Sequence, residues 1–175
     1  MSLNVRGIND NNKRKKLFTW MLDRRADIYF LQETKLQEKC RKLVDFEWNG
    51  KCFHAFSDSA KSGVSILIKQ KLNFSLLNEH SSNDGRKLLL NIEIGENIFT
   101  LVSIYAPNDE KCRKDFIKKS ERWIKKYALN ENNIVIGGDW NCCMNDSDRN
   151  TLTHINDSSR KCFKSLVDNL DLTDM

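Results

Sequence analysis

Ile28-Tyr29-Phe30-Leu31-Gln32-Glu33 is a continuous apolar run that ends on two polar residues. A run of this length and composition reads as a strand buried on both faces, with Glu33 standing at its C-terminal end. Upstream, Leu3 and Val5 make a very short apolar start, and residues 9–12 offer cap candidates for a helix. That helix is expected to bury Leu17, Phe18, Met21 and Leu22 and to carry Lys13, Arg14, Lys16 and Arg24 on its other face. Downstream the pattern changes to period two. Residues 53–56, 64–68, 88–94 and 98–105 read as strands, with Leu88, Leu90, Ile92 and Ile94 on one face, and turn signals at Lys61-Ser62-Gly63, Asn83-Asp84-Gly85 and Gly95-Glu96-Asn97 separate them. After Pro107 a helical stripe of Phe116, Ile117, Ser120, Trp123, Ile124 and Tyr127 lies opposite Lys114, Lys118, Arg122 and Lys125. Residues 133–137 form another buried strand that runs into Gly138-Asp139-Trp140-Asn141, and a last helix buries Cys162, Phe163, Leu166, Val167 and Leu170. Buried strands flanked by helices, together with half-exposed hairpin strands, predict a layered α/β sandwich with mixed or antiparallel sheets.

The 175 residues suit one domain, and a single proline with seven glycines leaves no linker or repeat to divide it. The chain is 39% hydrophobic and 30% charged, enough for a core, and its longest apolar runs are strand-sized, which excludes a membrane span. No charged n-region followed by an apolar h-region opens the sequence, so signal-peptide secretion is not expected and the six cysteines are expected to be reduced. None of these cysteines forms a C-x-x-C pair, so neither a zinc knuckle nor a redox motif is legible. A net charge of +5 permits a polyanionic partner without demanding one.

Polar residues stand where buried strands end: Asn4, Glu33, Tyr105, and Asp139 with Asn141. Carboxylates and amides at neighbouring strand ends can converge on one rim of a sheet. Such an oxygen-rich set without histidine or cysteine suits a hard cation such as Mg²⁺, and so phosphoryl hydrolysis. Each residue has a plain alternative. Glu33 alone is a helix cap or a solvated residue, Asn4 a turn residue, Tyr105 a half-buried strand residue with a wet hydroxyl, and Gly137-Gly138-Asp139 a tight turn. Their order on this strand pattern favours the functional reading.

Leu3-Asn4-Val5-Arg6-Gly7, Leu31-Gln32-Glu33-Thr34, Ser103-Ile104-Tyr105-Ala106-Pro107 and Gly138-Asp139-Trp140-Asn141 follow one another as motifs of a known family do. The sequence resembles the endonuclease/exonuclease/phosphatase family, and within it most resembles the apurinic-type endonuclease domain that precedes a reverse transcriptase in non-LTR retrotransposons. Asp148-Arg149 and Leu170-Asp171-Leu172-Thr173-Asp174 are similar to those domains too. The resemblance covers essentially residues 1–175. It implies a four-layer α/β sandwich, with two mixed sheets packed face to face and helices outside. It further implies an Mg²⁺-dependent enzyme, with Mn²⁺ as a substitute, that nicks DNA in the nucleus. Glu33 would be the main metal ligand with Asn4 beside it, Tyr105 would contact the scissile phosphate, Asp139 would orient or deprotonate the attacking water, and Asn141 would position phosphate or nucleophile. The basic cluster Lys13-Arg14-Lys15-Lys16, which follows the loop leaving Asn4, is the candidate for DNA phosphate contacts. The lysine face of the Pro107 helix reads rather as solvated surface, and few aromatics interleave with the basic cluster, so single-strand stacking is not supported.

Members of that family close the catalytic domain with a further Asp-bearing strand and a Ser-Asp-His segment. This sequence reaches Met175 before either, and His54, His80 and His154 do not follow Ser-Asp. The N-terminus looks clipped as well, and the strands not present would leave an exposed sheet edge. General acid catalysis is worth about 10²- to 10⁴-fold, so this form is expected to be nearly inactive while still binding Mg²⁺ weakly. Three functions stay open: a DNA-nicking endonuclease, a phosphatase or phosphodiesterase of the same fold acting on an inositol phosphate or lipid head group, and a catalytically dead remnant that at most binds nucleic acid.

Overall fold

The structure, a computed structural model, describes residues 1–57, 61–144 and 157–173. Asp148, Arg149, His154 and Asp174 lie outside the described residues. Two four-stranded sheets stack face to face. The first has the order β1 (Ser2–Asn4), β2 (Ile28–Gln32), β4 (Val64–Lys69), β3 (Gly50–Ala55), with β1 parallel to β2 and the remaining pairs antiparallel. The second has the order β5 (Ser75–Ser81), β6 (Lys87–Ile94), β7 (Asn97–Tyr105), β8 (Ile134–Asp139), with β8 parallel to β7 and at the sheet's edge. Helices α1 (Asn11–Leu22) and α2 (Arg41–Glu47) accompany the first sheet, and α3 (Glu110–Tyr127) and α4 (Ser159–Asn169) the second.

Three cores make this a four-layer α/β sandwich. Phe30, Ile66, Ile68, Leu88, Leu90 and Ile92 fill the space between the sheets; Phe18, Met21, Tyr29, Leu31 and Leu67 pack beneath α1; Leu89, Val102, Ile104, Ile117 and Leu166 pack beneath α3 and α4. β2, β4 and β6 contribute to two cores each, so the unbroken apolar run expected for β2 fits, while the period-two reading of β4 and β6 understates their burial on the second face. The face of Leu88, Leu90 and Ile92 expected from period two is the inter-sheet face.

The elements differ from expectation where local pattern and burial part company. α1 starts on Asp10, whose carboxylate accepts from the Lys13 amide at 2.7 Å. Its inward stripe is Arg14, Phe18 and Met21, while Leu22, expected inside, is exposed. α2 and β5 were not legible. α2 buries only Val44 and holds Phe46 in solvent, so it has no apolar stripe, and β5 is an outward-facing edge strand with a bulge between Leu76 and Asn78. On α3 the buried set adds Arg113, which joins the Ser159 hydroxyl and Asp157 at the start of α4.

Gly137 sets how closely the sheets approach at the end that matters for chemistry. A Cβ at this position would lie 2.3 Å from the Phe30 ring, so glycine lets β8 rest directly on β2. The Gln32 amide also reaches across the sheets to the Gly137 carbonyl at 3.4 Å. The C-terminal ends of β2 and β8, from different sheets, are thereby held side by side. No helix among the described residues is long and apolar enough to cross a membrane.

Candidate active site at the strand ends

One amide ties the two strand ends together. The Asn4 side-chain nitrogen, at the end of β1, donates to Glu33 Oε1 at 2.8 Å and to Asp139 Oδ2 at 2.7 Å. Its oxygen accepts from the Arg6 backbone amide at 3.1 Å, which fixes the orientation of the amide. Tyr105, the last residue of β7, hydrogen-bonds Glu33 from the remaining side. The Asn141 backbone N–H donates to Asp139 Oδ1 at 3.0 Å, and its side-chain nitrogen donates to the Ala106 carbonyl at 2.7 Å. The five residues singled out from the sequence thus form one network, drawn from β1, β2, β7 and β8.

The loops that present this network are conformationally demanding. Glu33, Asn141, Arg6 and Lys35 all have positive φ, between 48° and 54°. Asparagine tolerates this region, whereas for the others it costs on the order of 1 to 3 kcal/mol each, offset by packing around them. At Glu33 the main chain is held by Gly7 N–H to Glu33 O at 2.6 Å and by Thr34 N–H to Gly63 O at 3.0 Å. Gly63 is itself required there: it sits at φ +108°, and a Cβ would lie 2.5 Å from the Thr34 hydroxyl.

Electrostatics separate the roles. Burial alone would raise the Glu33 carboxyl, but hydrogen bonds from Asn4 and Tyr105 and the charges of Lys35 and Arg6 outweigh it, so its pKa is lowered. Glu33 is therefore an ionised oxygen donor at neutral pH. Tyr105 moves the other way: burial first, then the hydrogen bond to Glu33, raises its pKa and keeps the phenol a proton donor. Three cations border the network that the motif reading left out. Lys35 Nζ lies 3.8 Å from Glu33 Oε2, Arg6 is exposed beside it, and the Arg86 guanidinium sits 4.9 Å above the Tyr105 ring while donating to the Tyr105 carbonyl at 3.2 Å. Arg6 lies inside a motif already quoted, but Arg86 is some twenty positions before Tyr105 and only β6–β7 pairing brings it back.

The family model described as "Endonuclease/Exonuclease/phosphatase family" matches residues 1–172. The chain belongs to the endonuclease/exonuclease/phosphatase family. It is 24% identical over 180 residues to the Transposon TX1 uncharacterized 149 kDa protein of Xenopus laevis, covering 100% of this chain and 14% of that protein. The fold is shared with the APE2 catalytic domain of Xenopus laevis, at TM-score 0.68 and 18% identity over 94% of this chain and 66% of that one. An AP endonuclease from Archaeoglobus fulgidus matches at TM-score 0.73 and 17% identity over 96% of this chain and 69% of that one. The family and fold are those of phosphodiesterases and nucleases.

The basic cluster of this family member divides on inspection. Arg14, expected to meet phosphate, is only 2% exposed and points inward: it pairs with Glu47 at 2.5 Å and donates to the Ile8 and Asn9 carbonyls. A helix face that carries one long side chain through to a buried acid looks the same in sequence as a solvated face. Lys13 donates to the Val5 and Arg6 carbonyls at 2.7 and 3.2 Å and so braces the loop that leaves Asn4. Lys15 and Lys16 are exposed. Of the histidines, His54 lies on the outer face of the first sheet and His80 stacks on Tyr127 at 4.0 Å, so neither belongs to the strand-end network.

Proposed function

We propose that the chain is a divalent-cation-dependent phosphodiesterase that nicks DNA. The observation that carries this reading is the pair of carboxylates, Glu33 and Asp139, brought from two sheets onto one neutral amide and left open to solvent with cations around them. Mg²⁺ fits this set, because ionised oxygen donors without nitrogen or sulfur suit a hard cation, and Mn²⁺ shares that preference. Glu33 would hold the ion with Asn4 orienting the carboxylate. A bound ion supplies charge neutralisation on phosphate oxygens that water alone cannot.

The residues of the chain do the rest. Asp139, aligned by the Asn4 amide and the Asn141 N–H, accepts a hydrogen bond from a water and aims it at phosphorus. Tyr105 would contact the scissile phosphate by giving up its hydrogen bond to Glu33, since the phenol has one proton to donate, and Asn141, its nitrogen held by Ala106, offers its carbonyl oxygen to the same water. Arg6, Lys35 and Arg86 supply positive potential to the phosphodiester, with Lys15 and Lys16 as flanking phosphate contacts. The likeness to a transposon protein supports a place inside a longer retroelement polyprotein, joined to a reverse transcriptase and acting on nuclear DNA. Among the described residues the network holds no histidine; a site that protonates its leaving group from water rather than from a side chain works about 10²- to 10⁴-fold more slowly, so slow nicking is the expected result.

Conversion of supercoiled plasmid to open circle tests this. Nicking with Mg²⁺, none with EDTA, and loss of at least about 10²-fold in Glu33→Ala and Asp139→Ala is the expected result. Nicking that persists in EDTA, or in both variants, contradicts it, as does hydrolysis of an inositol phosphate in place of DNA.

A further inference from the structure

A second cluster of ligand-type side chains lies apart from the strand ends, on the outer face of the first sheet. Cys52 and His54 alternate along β3 and so share a face, and they pair in register with Leu67 and Ser65 of β4, on the side packed beneath the helices. α2 lays Asp45 over them. The Asp45 carboxylate, Cys52 Sγ and a His54 ring nitrogen all lie within 4.8 Å of one another. His54 Nε2 is 3.2 Å from Asp45 Oδ1, while Nδ1 is 2.7 Å from the Ser65 hydroxyl. The Cys52 thiol hydrogen-bonds the same carboxylate.

The donor set is the wrong one for Mg²⁺ and the right one for a softer ion. Thiolate, imidazole and one carboxylate are the ligands of tetrahedral zinc sites, with bonds of about 2.0 to 2.3 Å and a fourth position for water. Two ligands about 2.0 Å from a tetrahedral centre stand roughly 3.3 Å apart, and Asp45 and His54 are already at 3.2 Å. Ser65 completes the pattern, since a hydrogen bond at Nδ1 fixes the ring so that Nε2 faces the ion. His54 is 3% exposed and packs at 5.2 Å from the Phe56 ring, so it is pre-positioned, and Asp45 is exposed, which leaves an entry path. We propose that Asp45, Cys52 and His54, oriented by Ser65, form a zinc-class metal site distinct from the strand-end network, with water as fourth ligand. Binding would displace the thiol proton to solvent and replace the hydrogen bonds to Asp45 with bonds to the ion. It would also pin α2, which buries little else besides Val44, onto β3.

The test uses the full chain, stripped with EDTA and titrated with Co²⁺ alone, then with Zn²⁺ as competitor. One equivalent of Co²⁺ is expected to give a thiolate-to-cobalt charge-transfer band with tetrahedral d–d absorption, discharged by one equivalent of Zn²⁺. Cys52→Ser should abolish the charge-transfer band. Asp45→Asn, at an exposed position, should weaken the Co²⁺ binding that gives the charge-transfer band at least 10-fold and its displacement by Zn²⁺ in step, Ser65→Ala about 10- to 100-fold, and Glu33→Gln should leave the charge-transfer band unchanged. Absence of the band in the wild-type chain, its persistence in Cys52→Ser, or undiminished Zn²⁺ binding in Asp45→Asn would overturn the proposal.

Discussion

Arg14 on α1 and Glu33 at the end of β2 are both charged and both drawn into hydrogen-bond networks, yet only one keeps its charge for an outside partner. Arg14 is spent internally: Glu47 takes two of its nitrogens, two backbone carbonyls and the Asn11 side chain take the rest, and water does not reach it. Glu33 is met by Asn4 and Tyr105, which are neutral, while the nearest cation stands 3.8 Å away. Its negative charge is oriented but not cancelled, and Asp139 adds a second on the same amide. Charge that is satisfied in place holds a fold; charge that is aimed and left open does chemistry.

The sharpest way to break this contrast is to remove Arg14. Arg14→Leu strands Glu47 without its partner and should cost about 3 to 5 kcal/mol, a fall in Tm of roughly 10 °C. The double change Arg14→Leu with Glu47→Leu should recover most of that loss, whereas an unchanged Tm in the single variant would mean Arg14 is not structural. Gly137→Ala comes next. A methyl group against the Phe30 ring should destabilise by about 1 to 3 kcal/mol and, by separating the ends of β2 and β8, depress nicking more than a substitution of equal Tm cost elsewhere in the inter-sheet core. Comparable losses at both sites would show that sheet spacing does not set the network.

Acid sharpens the comparison more gently. The Glu47 carboxyl is lowered by its hydrogen bond to Arg14, and Glu33 is lowered against the opposing effect of burial, both from an ordinary value of 4.5. Groups lowered on folding stabilise the native state above that value, and the contribution is lost as pH falls through the lowered one. Urea unfolding followed from about pH 6 to about pH 3 should therefore show Glu33→Gln less stable than wild type at about pH 6, with the difference shrinking as the pH falls, so that the variant is the less acid-labile of the two.

What the sequence made legible follows from what depends on local pattern. Asp10, within the cap candidates of residues 9–12, caps α1, β2 announces itself as a buried run and β4 as an alternating strand, and Asn4, Glu33, Tyr105, Asp139 and Asn141 stand at strand ends because that is where rims are built. α2 escaped because of its three apolar residues only Val44 points inward, and β5 because an edge strand has one partner and little burial. Arg14 misled because inward and outward arginines share the same helical spacing. The Asp45–Cys52–His54 cluster was illegible for another reason: its residues sit on two elements, one of them unrecognised, with no motif spacing between them.

Mn²⁺ binding followed by electron paramagnetic resonance most directly tests the claim that the strand-end network is a hard-cation site. One Mn²⁺ per chain is expected, displaced by Mg²⁺, with affinity lowered at least 10-fold in Glu33→Gln and unchanged in Cys52→Ser. Equal Mn²⁺ binding by wild type and Glu33→Gln would contradict it.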